Sequence, residues 1–208
     1  MSKPARKLFS ERFIDLALSA AIALLIWAIL VPVVLAIRFS LGAPVFFTQQ
    51  RTGLGGRIFT IYKFRTMIPA TENARTDAER LTPLGRFLRR TSIDELPQFW
   101  NVVKGDMSLV GPRPLLPQYL SRYTPFQRRR HEVRPGITGW AQIHGRNRLS
   151  WETKFEYDVW YVDHRSFWLD LKILALTVKQ VLRRDGISQE GHATAQEFLG
   201  TEETPTAK

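Results

Sequence analysis

The longest apolar stretch of the chain covers residues 16–37 and is interrupted only by Ser19. A run of about 20 apolar residues is the usual signature of a helix embedded in a membrane. A core helix of a soluble protein ordinarily keeps one polar face, and this stretch has none. A cleaved signal peptide is disfavoured because its apolar core is about 7–15 residues long and ends at small residues. The pattern therefore predicts a membrane-embedded helix.

The flanks of this run and the proline inside it bear on its path through the membrane. Basic residues lie on both sides, without the asymmetry that the positive-inside rule predicts for a spanning helix. They are Lys3, Arg6, Lys7 and Arg12 before the run and Arg38, Arg51, Arg57, Lys63 and Arg65 after it. Pro32 is expected to break or kink the helix because it lacks an amide hydrogen. We expect a re-entrant helix; a kinked spanning helix stays open, since membrane helices tolerate proline.

The rest of the chain alternates between strand-like and helix-like patterns. Two β-prone runs at 44–49 and 58–62 flank a glycine-rich turn and predict a β-hairpin. The turn lacks the Lys-Ser/Thr ending of a P-loop, which favours a simple turn over a phosphate cradle. Apolar spacing predicts helices at 151–163 and 167–184, and cap and stop residues predict another near 92–104. The pattern thus indicates an α+β fold that is mainly helical.

The predicted helix at 167–184 is basic and amphipathic. That character suits the membrane interface. A helix with one face on the core and a solvated basic face explains the pattern equally well. Prolines predict irregular backbone at 111–114, and the segment 134–140 is also interpreted as a loop.

Composition adds a strong positive charge to this picture. Thirty Lys and Arg residues against 19 Asp and Glu give a formal net charge of +11, which favours phosphates, acidic lipids or nucleic acid as partners. The absence of cysteine excludes disulfides and thiolate metal sites.

The adjacent carboxylates Asp94 and Glu95 are the candidate catalytic residues. Ser92, three residues before Glu95, fits a capping box, which is a purely structural interpretation. In the first turn of a helix a carboxylate is kept ionised, and free amides there favour a neighbouring phosphate. Adjacent side chains diverge by about 100°, so one carboxylate could attack while the other orients, or both could bind Mg²⁺.

Basic residues on glycine- and proline-rich segments near this pair are candidates for phosphate binding. They are Lys63, Arg65, Arg89, Lys104, Arg113, Arg134 and Arg146. A single arginine is more often an ordinary surface charge, so the prediction rests on their number.

Four longer segments are distinctive: Lys-Phe-Arg-Thr-Met at 63–67, Asp-Glu-Leu-Pro-Gln at 94–98, the stretch 101–114, and Arg-Pro-Gly-Ile-Thr-Gly-Trp-Ala-Gln at 134–142. Together they resemble signature segments of the monotopic phosphoglycosyl transferases. The resemblance covers nearly the whole chain, and such a combination is far more specific than any single motif. In length the chain is similar to the small members, such as the bacillosamine-phosphate transferase of N-glycosylation.

The resemblance implies a bacterial enzyme at the cytoplasmic face of the inner membrane that moves a sugar-1-phosphate from a UDP-sugar to polyprenyl phosphate. It implies that Asp94 attacks the donor, releases UMP and forms a covalent aspartyl–phosphosugar, in a ping-pong reaction. Glu95 would position groups or carry out acid–base chemistry. Mg²⁺, bound by Asp94 and Glu95, would reduce the repulsion between nucleophile and diphosphate. Membrane lipids and a possible homodimer, but no nucleic acid, are the other expected partners.

With that resemblance, the predicted organisation has three parts. A basic segment and a re-entrant membrane helix occupy 1–40, a cytoplasmic catalytic domain packed on the membrane occupies 41–199, and a mobile polar tail occupies 200–208. Interfacial amphipathic helices are expected in the catalytic domain.

The chain departs from the family pattern at two places. Val31 precedes Pro32 where several small members have serine, so the helix break would need another means of stabilisation. Ile-His-Gly-Arg at 143–146 replaces an expected Val-Asn-Gly-Arg, which bears on nucleotide or sugar specificity. His144 could serve as a metal ligand or base, but we interpret it as an ordinary loop histidine.

Two other functions stay open. A non-catalytic membrane protein that binds anionic lipid or nucleic acid explains the charge and the apolar run, but not the carboxylate pair. A metal-dependent phosphohydrolase would use water as the nucleophile, release free sugar phosphate and form no covalent adduct.

Overall fold

Short helices surround a β-hairpin and a second, smaller strand pair. This computed structural model describes residues 30–70, 76–145, 149–183 and 197–200. The strands are β1 (Phe46–Thr52), β2 (Ile58–Phe64), β3 (Ser108–Val110) and β4 (Gly136–Thr138). The helices are α1 (residues 30–41), α2 (Asp77–Arg80), α3 (Pro83–Arg90), α4 (Phe99–Lys104), α5 (Pro125–Arg128), α6 (Trp140–Ile143), α7 (Trp151–His164) and α8 (Phe167–Arg183). Shorter 3-10 segments are Leu54–Gly56, Ile93–Gln98, Pro117–Arg122 and Arg129–Glu132. The predicted α+β, mainly helical class with a hairpin is confirmed.

The hairpin pairs β1 with β2 in antiparallel register, from Phe46 opposite Phe64 to Thr52 opposite Ile58. Its turn uses positive φ angles of 62° at Gly55 and 78° at Gly56. Glycine adopts this left-handed region without the steric cost that a Cβ brings, which explains the glycine-rich sequence there.

The strands β3 and β4 form a parallel pair that the sequence analysis did not predict. The segment 134–140, which contains β4, was interpreted as a loop, and no element was predicted at β3, directly before the predicted irregular segment 111–114. The backbones approach so closely that a Cβ on Gly111 would clash with the Arg134 carbonyl, and one on Gly136 with the Gly111 amide. Glycine is therefore needed for close approach at these positions, and the short pair forms through contacts between segments remote in sequence.

The principal core lies between the strands and helices α4, α7 and α8. Its buried side chains include Ile61, Val102, Met107, Leu109, Val110, Tyr161 and Ile173. Each large apolar side chain buried here contributes about 1.5–3 kcal/mol relative to exposure. A second cluster, which we call the aromatic cluster, comprises Tyr119, Tyr123, Trp151, Phe155 and Phe198 with their aliphatic neighbours. These cores fix the mutual placement of the hairpin, β3 and α7.

Helix α1 docks on the rest of the fold through one face. Ile37 is fully buried against Phe64 and Leu88, whereas Phe39 on the same helix is exposed. Arg65 donates to the backbone carbonyls of Leu41, Gly42 and Ala43, where α1 ends. These carbonyls follow a helix C-terminus, where a cation is favourable.

Within the described residues, no helix combines the length and apolar character needed to cross a membrane. Most of the predicted membrane helix at 16–37 lies outside the described part of the chain, so its re-entrant path stays a prediction. The predicted tail at 200–208 lies outside it as well, except for Gly200.

The predicted helices at 151–163 and 167–184 are confirmed as α7 and α8. The predicted continuous helix near 92–104 is divided: the 3-10 segment Ile93–Gln98 precedes α4. Pro97 explains the difference, because it offers no amide to an α-helical ladder.

Candidate active site

Asp94 and Glu95 lie in the 3-10 segment Ile93–Gln98, which packs against β2. Ser92 has a left-handed φ of 57° and its side chain caps no amide, so the predicted capping box is wrong. An N-cap residue normally has extended backbone angles, which Ser92 does not adopt. Glu95 instead accepts hydrogen bonds from two cations, and such charge-assisted bonds are stronger than bonds to a neutral amide.

Glu95 is held between Lys63 and Arg113. Lys63 Nζ lies 2.6 Å from Glu95 Oε1, and Arg113 Nη2 lies 2.8 Å from the same oxygen. Burial alone would raise the pKa of Glu95, but Arg113 and Lys63 outweigh it and hold that pKa well below its usual range. Glu95 is therefore a permanent anion that fixes a lysine and an arginine beside Asp94.

Asp94 is 8% exposed and makes no ion pair or side-chain hydrogen bond within the part of the chain that is described. Burial, followed by the charge of Glu95, raises the pKa of Asp94 to about 6, although Lys63, Arg89 and Arg113 oppose the rise. The sequence analysis expected a helix terminus to stabilise the anion, and the surroundings do the reverse. Asp94 is thus a mainly ionised but poorly stabilised carboxylate at neutral pH, as suits a nucleophile.

Arg89 is positioned by the packing of α3 on the end of β2. Its Nε donates to Thr66 Oγ1 at 3.1 Å, and its Nη2 lies 3.1 Å from Met67 Sδ. A Cβ at Gly85 would clash with the Thr66 carbonyl, so glycine permits this close approach of α3 to the segment that follows β2. The contacts hold the guanidinium within electrostatic reach of Asp94.

Asn101 ties α4 to the strand that carries Lys63. Its fully buried amide donates to the Thr60 carbonyl at 2.7 Å and accepts from the Tyr62 amide at 3.3 Å. The sequence analysis assigned no role to Asn101, and its only signal there was membership of a signature segment. Its partners lie about 40 residues away in the chain, so spacing alone could not reveal them.

The loop 111–114 that presents Arg113 is anchored by two further arginines. Arg130 Nη2 donates to the Arg113 carbonyl at 2.7 Å, and Arg51 Nη1 to the Pro114 carbonyl at 3.3 Å. Arg130 in turn binds Asp158 Oδ2 at 2.7 Å in a buried ion pair. Arg130 and Asp158 were missed by the sequence analysis, because neither lies in a motif that suggests pairing.

The remaining predicted phosphate-binding residues are placed differently. Arg65 binds the carbonyls at the end of α1. Lys104 pairs with Asp106 at 3.4 Å, and the half-buried Arg134 makes no ion pair with any described residue. Arg146 lies outside the described residues. Among the described residues, the structure therefore gathers Lys63, Arg89 and Arg113 around the carboxylate pair, and not Arg65, Lys104 or Arg134.

His144, also considered in the sequence analysis, lies at the end of α6. Its Nδ1 is 2.8 Å from the Trp140 carbonyl, and its ring packs against the Trp140 ring in a tilted arrangement with centroids 4.1 Å apart. These contacts match the interpretation as an ordinary structural histidine.

Of the two adjacent carboxylates, Asp94 fits a magnesium ion better than Glu95 does. The described residues contain no cluster of three or more His, Cys, Asp or Glu side chains suited to a metal. Magnesium that is shared with substrate phosphates needs only one or two protein carboxylates. Asp94 meets that requirement, whereas Glu95 Oε1 already accepts from Lys63 and Arg113.

Comparison with known proteins gives a consistent result. A family model described as bacterial sugar transferase matches residues 6–184. The chain is 55% identical over 194 residues to EpsL of Bacillus subtilis, described as an uncharacterized sugar transferase, covering 92% of this chain and 96% of EpsL.

Two other relatives have more specific names. The chain is 38% identical over 200 residues to the undecaprenyl-phosphate galactose phosphotransferase of Salmonella typhimurium, covering 85% of this chain and 42% of that protein. It is 42% identical over 181 residues to the UDP-glucose:undecaprenyl-phosphate glucose-1-phosphate transferase of Escherichia coli, covering 81% of this chain and 39% of the relative. The chain thus spans nearly all of EpsL but less than half of these two.

Proposed function

The chain belongs to the bacterial sugar transferase family, and from this premise we propose that it transfers a sugar-1-phosphate from a UDP-sugar to undecaprenyl phosphate. It is a transferase, as are the relatives named above. The names of two relatives include this acceptor, and one includes UDP-glucose as donor. The products of the proposed reaction are UMP and a sugar linked to undecaprenyl diphosphate.

The observation that carries the mechanism is the contrast between the two adjacent carboxylates. Asp94 is buried, has no ion-pair partner among the described residues and lies near three cations, whereas Glu95 is locked between two of them. An Asp94 oxygen attacks the β-phosphorus of the donor, and the bond from that phosphorus to the UMP oxygen breaks. A phosphate oxygen of undecaprenyl phosphate then attacks the aspartyl-bound phosphorus and releases the Asp94 carboxylate.

Lys63, Arg89 and Arg113 stabilise the charge that develops on the transferred phosphoryl group. Phosphoryl transfer needs little covalent chemistry from the protein beyond the nucleophile, so positioning and electrostatics dominate. Glu95, whose pKa lies well below its usual range, carries no proton at neutral pH. We therefore assign it a positioning role on Lys63 and Arg113 and not an acid–base role.

Magnesium is proposed as the cofactor, with Asp94 as its protein ligand. When bound, the ion offsets negative charge on the diphosphate.

Membrane association belongs to the same proposal because the acceptor is a membrane lipid. Exposed apolar side chains are available on α1 and α8, including Phe39 and Trp168. Aromatic and apolar residues on amphipathic helices bind at the membrane interface. We propose that the site faces the cytoplasm beside a re-entrant membrane helix at 16–37.

The mechanism is tested by intact-protein mass spectrometry. Detergent-purified protein is incubated with Mg²⁺ and a panel of UDP-sugars without acceptor. We expect a mass gain of one phosphosugar with one donor, and its absence in Asp94→Asn. Asp106→Asn serves as the control and should form the adduct, since the Asp106 carboxylate pairs with Lys104.

The alternatives give different products. UMP release only in the presence of undecaprenyl phosphate, without any adduct, would replace the two-step route by direct transfer. Steady release of free sugar phosphate without acceptor would indicate a phosphohydrolase. A protein that leaves every UDP-sugar intact, with the acceptor present, would be a binding protein and not a transferase.

A further inference from the structure

Arg51 and Lys154, which were not among the predicted phosphate-binding residues, lie near the loop that carries Arg113. Arg51 on β1 donates to the carbonyl of Pro114, the residue after Arg113, at 3.3 Å. Arg130 binds both the Arg113 carbonyl and Asp158, which brings α7 to the same loop. Lys154 precedes Asp158 by one helical turn and therefore lies on the same face of α7. Strand β1 and helix α7 thus place Arg51 and Lys154 around Arg113.

Within the described part of the chain, Arg51 and Lys154 have no carboxylate partner at contact distance. Glu95 pairs with Lys63 and Arg113, and Asp158 pairs with Arg130. Arg51 and Lys154 form no ion pair with any described residue, and the buried Arg51 Nε has no hydrogen-bond acceptor. Arg113 therefore neighbours two further cations that form no ion pair with any described residue.

The electrostatics of the two side chains agree with this placement. Burial, followed by the charge of Arg113, lowers the pKa of Arg51 to about 10. The same two causes, in the same order, lower the pKa of Lys154. Like charges held together in a partly buried site are unfavourable until an anion binds among them.

The Lys154 side chain is also held in position. Its Nζ lies 4.4 Å from the centroid of the Trp151 ring, in a cation–π contact. Trp151 packs in the aromatic cluster, edge-on to Tyr119 and stacked with Phe155. A lysine fixed against a packed ring loses less side-chain entropy on binding an anion than a free surface lysine does.

We propose that Arg51, Lys154 and Arg113 bind the donor phosphate that departs with UMP. The inference rests on the proposed function and deepens it. The Arg113 guanidinium pairs with Glu95, and its charge also acts on Arg51 and Lys154, so Arg113 links the two carboxylates to these two cations and can serve both phosphates of one diphosphate. The sugar-bearing phosphate then lies on the Asp94 side, and the nucleotide points toward α7.

This orientation gives Lys154 a role in only one half of the reaction. When the bond from the β-phosphorus to the bridging oxygen breaks, the electron pair and negative charge go to the UMP phosphate. A cation there stabilises the departing group during formation of the aspartyl adduct. UMP is absent from the second half-reaction, in which undecaprenyl phosphate attacks the adduct.

The experiment measures the two half-reactions separately. The rate of adduct formation is followed by quenched-flow mass spectrometry, and the isolated adduct is then mixed with undecaprenyl phosphate. We expect Lys154→Met to slow adduct formation by about 10–100-fold, the usual effect of losing a bond to a charged group, and to leave transfer from the adduct unchanged. Lys154→Arg should recover most of the rate. The control is Lys172→Met, since Lys172 also lies over a tryptophan, 5.7 Å from the Trp140 ring centroid.

Inhibition by products gives a second readout. UMP should inhibit Lys154→Met about tenfold more weakly than it inhibits the wild type, and uridine should inhibit both equally. Equal slowing of both half-reactions, no slowing of either, or an equal loss of UMP and uridine inhibition would overturn the placement. A wild-type protein that forms no adduct would refute the proposed two-step function instead, so the two failures are distinguishable.

Discussion

Arg113 lies between two charged clusters that are built in opposite ways. On one side, the exposed guanidinium pairs with Glu95, and Asp94 next to it has no ion-pair partner among the described residues. On the other side, Arg130 and Asp158 form an ion pair whose side chains are only 2% and 5% exposed. Arg130 also binds the Tyr123 hydroxyl and the Arg113 carbonyl. We call these the Asp94–Glu95 cluster and the Arg130–Asp158 cluster.

The difference shows how the fold separates chemistry from support. In the Arg130–Asp158 cluster each charge has a partner, and the surplus donors of Arg130 hold backbone and a tyrosine. Such a pair favours one geometry more than it adds stability, because desolvation offsets much of the attraction. In the Asp94–Glu95 cluster one carboxylate is left without that compensation. The Arg130–Asp158 cluster fixes the loop 111–114, and the Asp94–Glu95 cluster depends on that loop because it carries Arg113.

The largest effect is expected from Asp94→Asn, which tests whether the unsatisfied carboxylate carries the chemistry. Loss of a nucleophile should reduce transfer by roughly four orders of magnitude or more.

The same variant also tests stability. Because the pKa of Asp94 is raised to about 6, its charge destabilises the folded state above that pH, and the penalty disappears as Asp94 becomes protonated. The variant should therefore unfold at a higher temperature than the wild type at pH 8. A lower Tm there would contradict this account of Asp94.

Asp158→Ala tests the supporting cluster. Removing one partner of a buried pair should cost about 3–5 kcal/mol of stability, since the Arg130 charge stays buried without its partner. Chemical denaturation measures the loss, and transfer at a temperature well below the new Tm should also fall because the Arg113 loop is less ordered. Asp163→Ala is the control on the same helix, since Asp163 pairs with Arg129 at the surface and its loss should lower the unfolding free energy far less than the loss of Asp158.

Glu95→Gln sharpens the comparison by weakening the contacts to Lys63 and Arg113 while keeping the shape of the side chain. We expect transfer to fall by about 10–100-fold with a smaller change in unfolding free energy than Asp158→Ala produces. Steady-state kinetics and denaturation on the same preparations check both parts. If Glu95→Gln instead destabilised the protein as strongly as Asp158→Ala, the two clusters would not differ in the way described.

The smallest effect is expected from pH. Attack requires ionised Asp94, so kcat/KM should decline about tenfold per pH unit below about 6, the pKa of Asp94 in the free enzyme. Arg89 lowers that pKa, and Arg89→Gln should therefore move the decline to higher pH. Rates measured from pH 5 to 8 in buffers of constant ionic strength give the profile. A decline that stays in place in Arg89→Gln would argue against Asp94 as the titrating group.

Local patterns were sufficient for the elements whose signals lie within a few residues. The hairpin follows from two β-prone runs around glycines at 53–56, and α7 and α8 follow from apolar spacing. The divided helix after Ser92 shows where this reasoning fails, since the capping residues suggested one continuous helix and Pro97 prevents it. Nothing in the local sequence indicated that β3 and β4 would pair, because parallel pairing joins segments more than 20 residues apart.

The sequence by itself determined the chemistry available to this protein: two adjacent carboxylates, an excess of arginine and lysine, and signature segments of one enzyme family. Only the tertiary structure decided which of those groups meet. Lys63, Arg89 and Arg113 come from three separate segments and act electrostatically on Asp94. Arg65 binds the end of α1 instead. Arg130 binds the Arg113 carbonyl, and the charge of Arg113 acts on Arg51 and Lys154. The physical reason is that electrostatic and hydrogen-bond energies depend on distances in space, and long-range packing of the cores sets those distances.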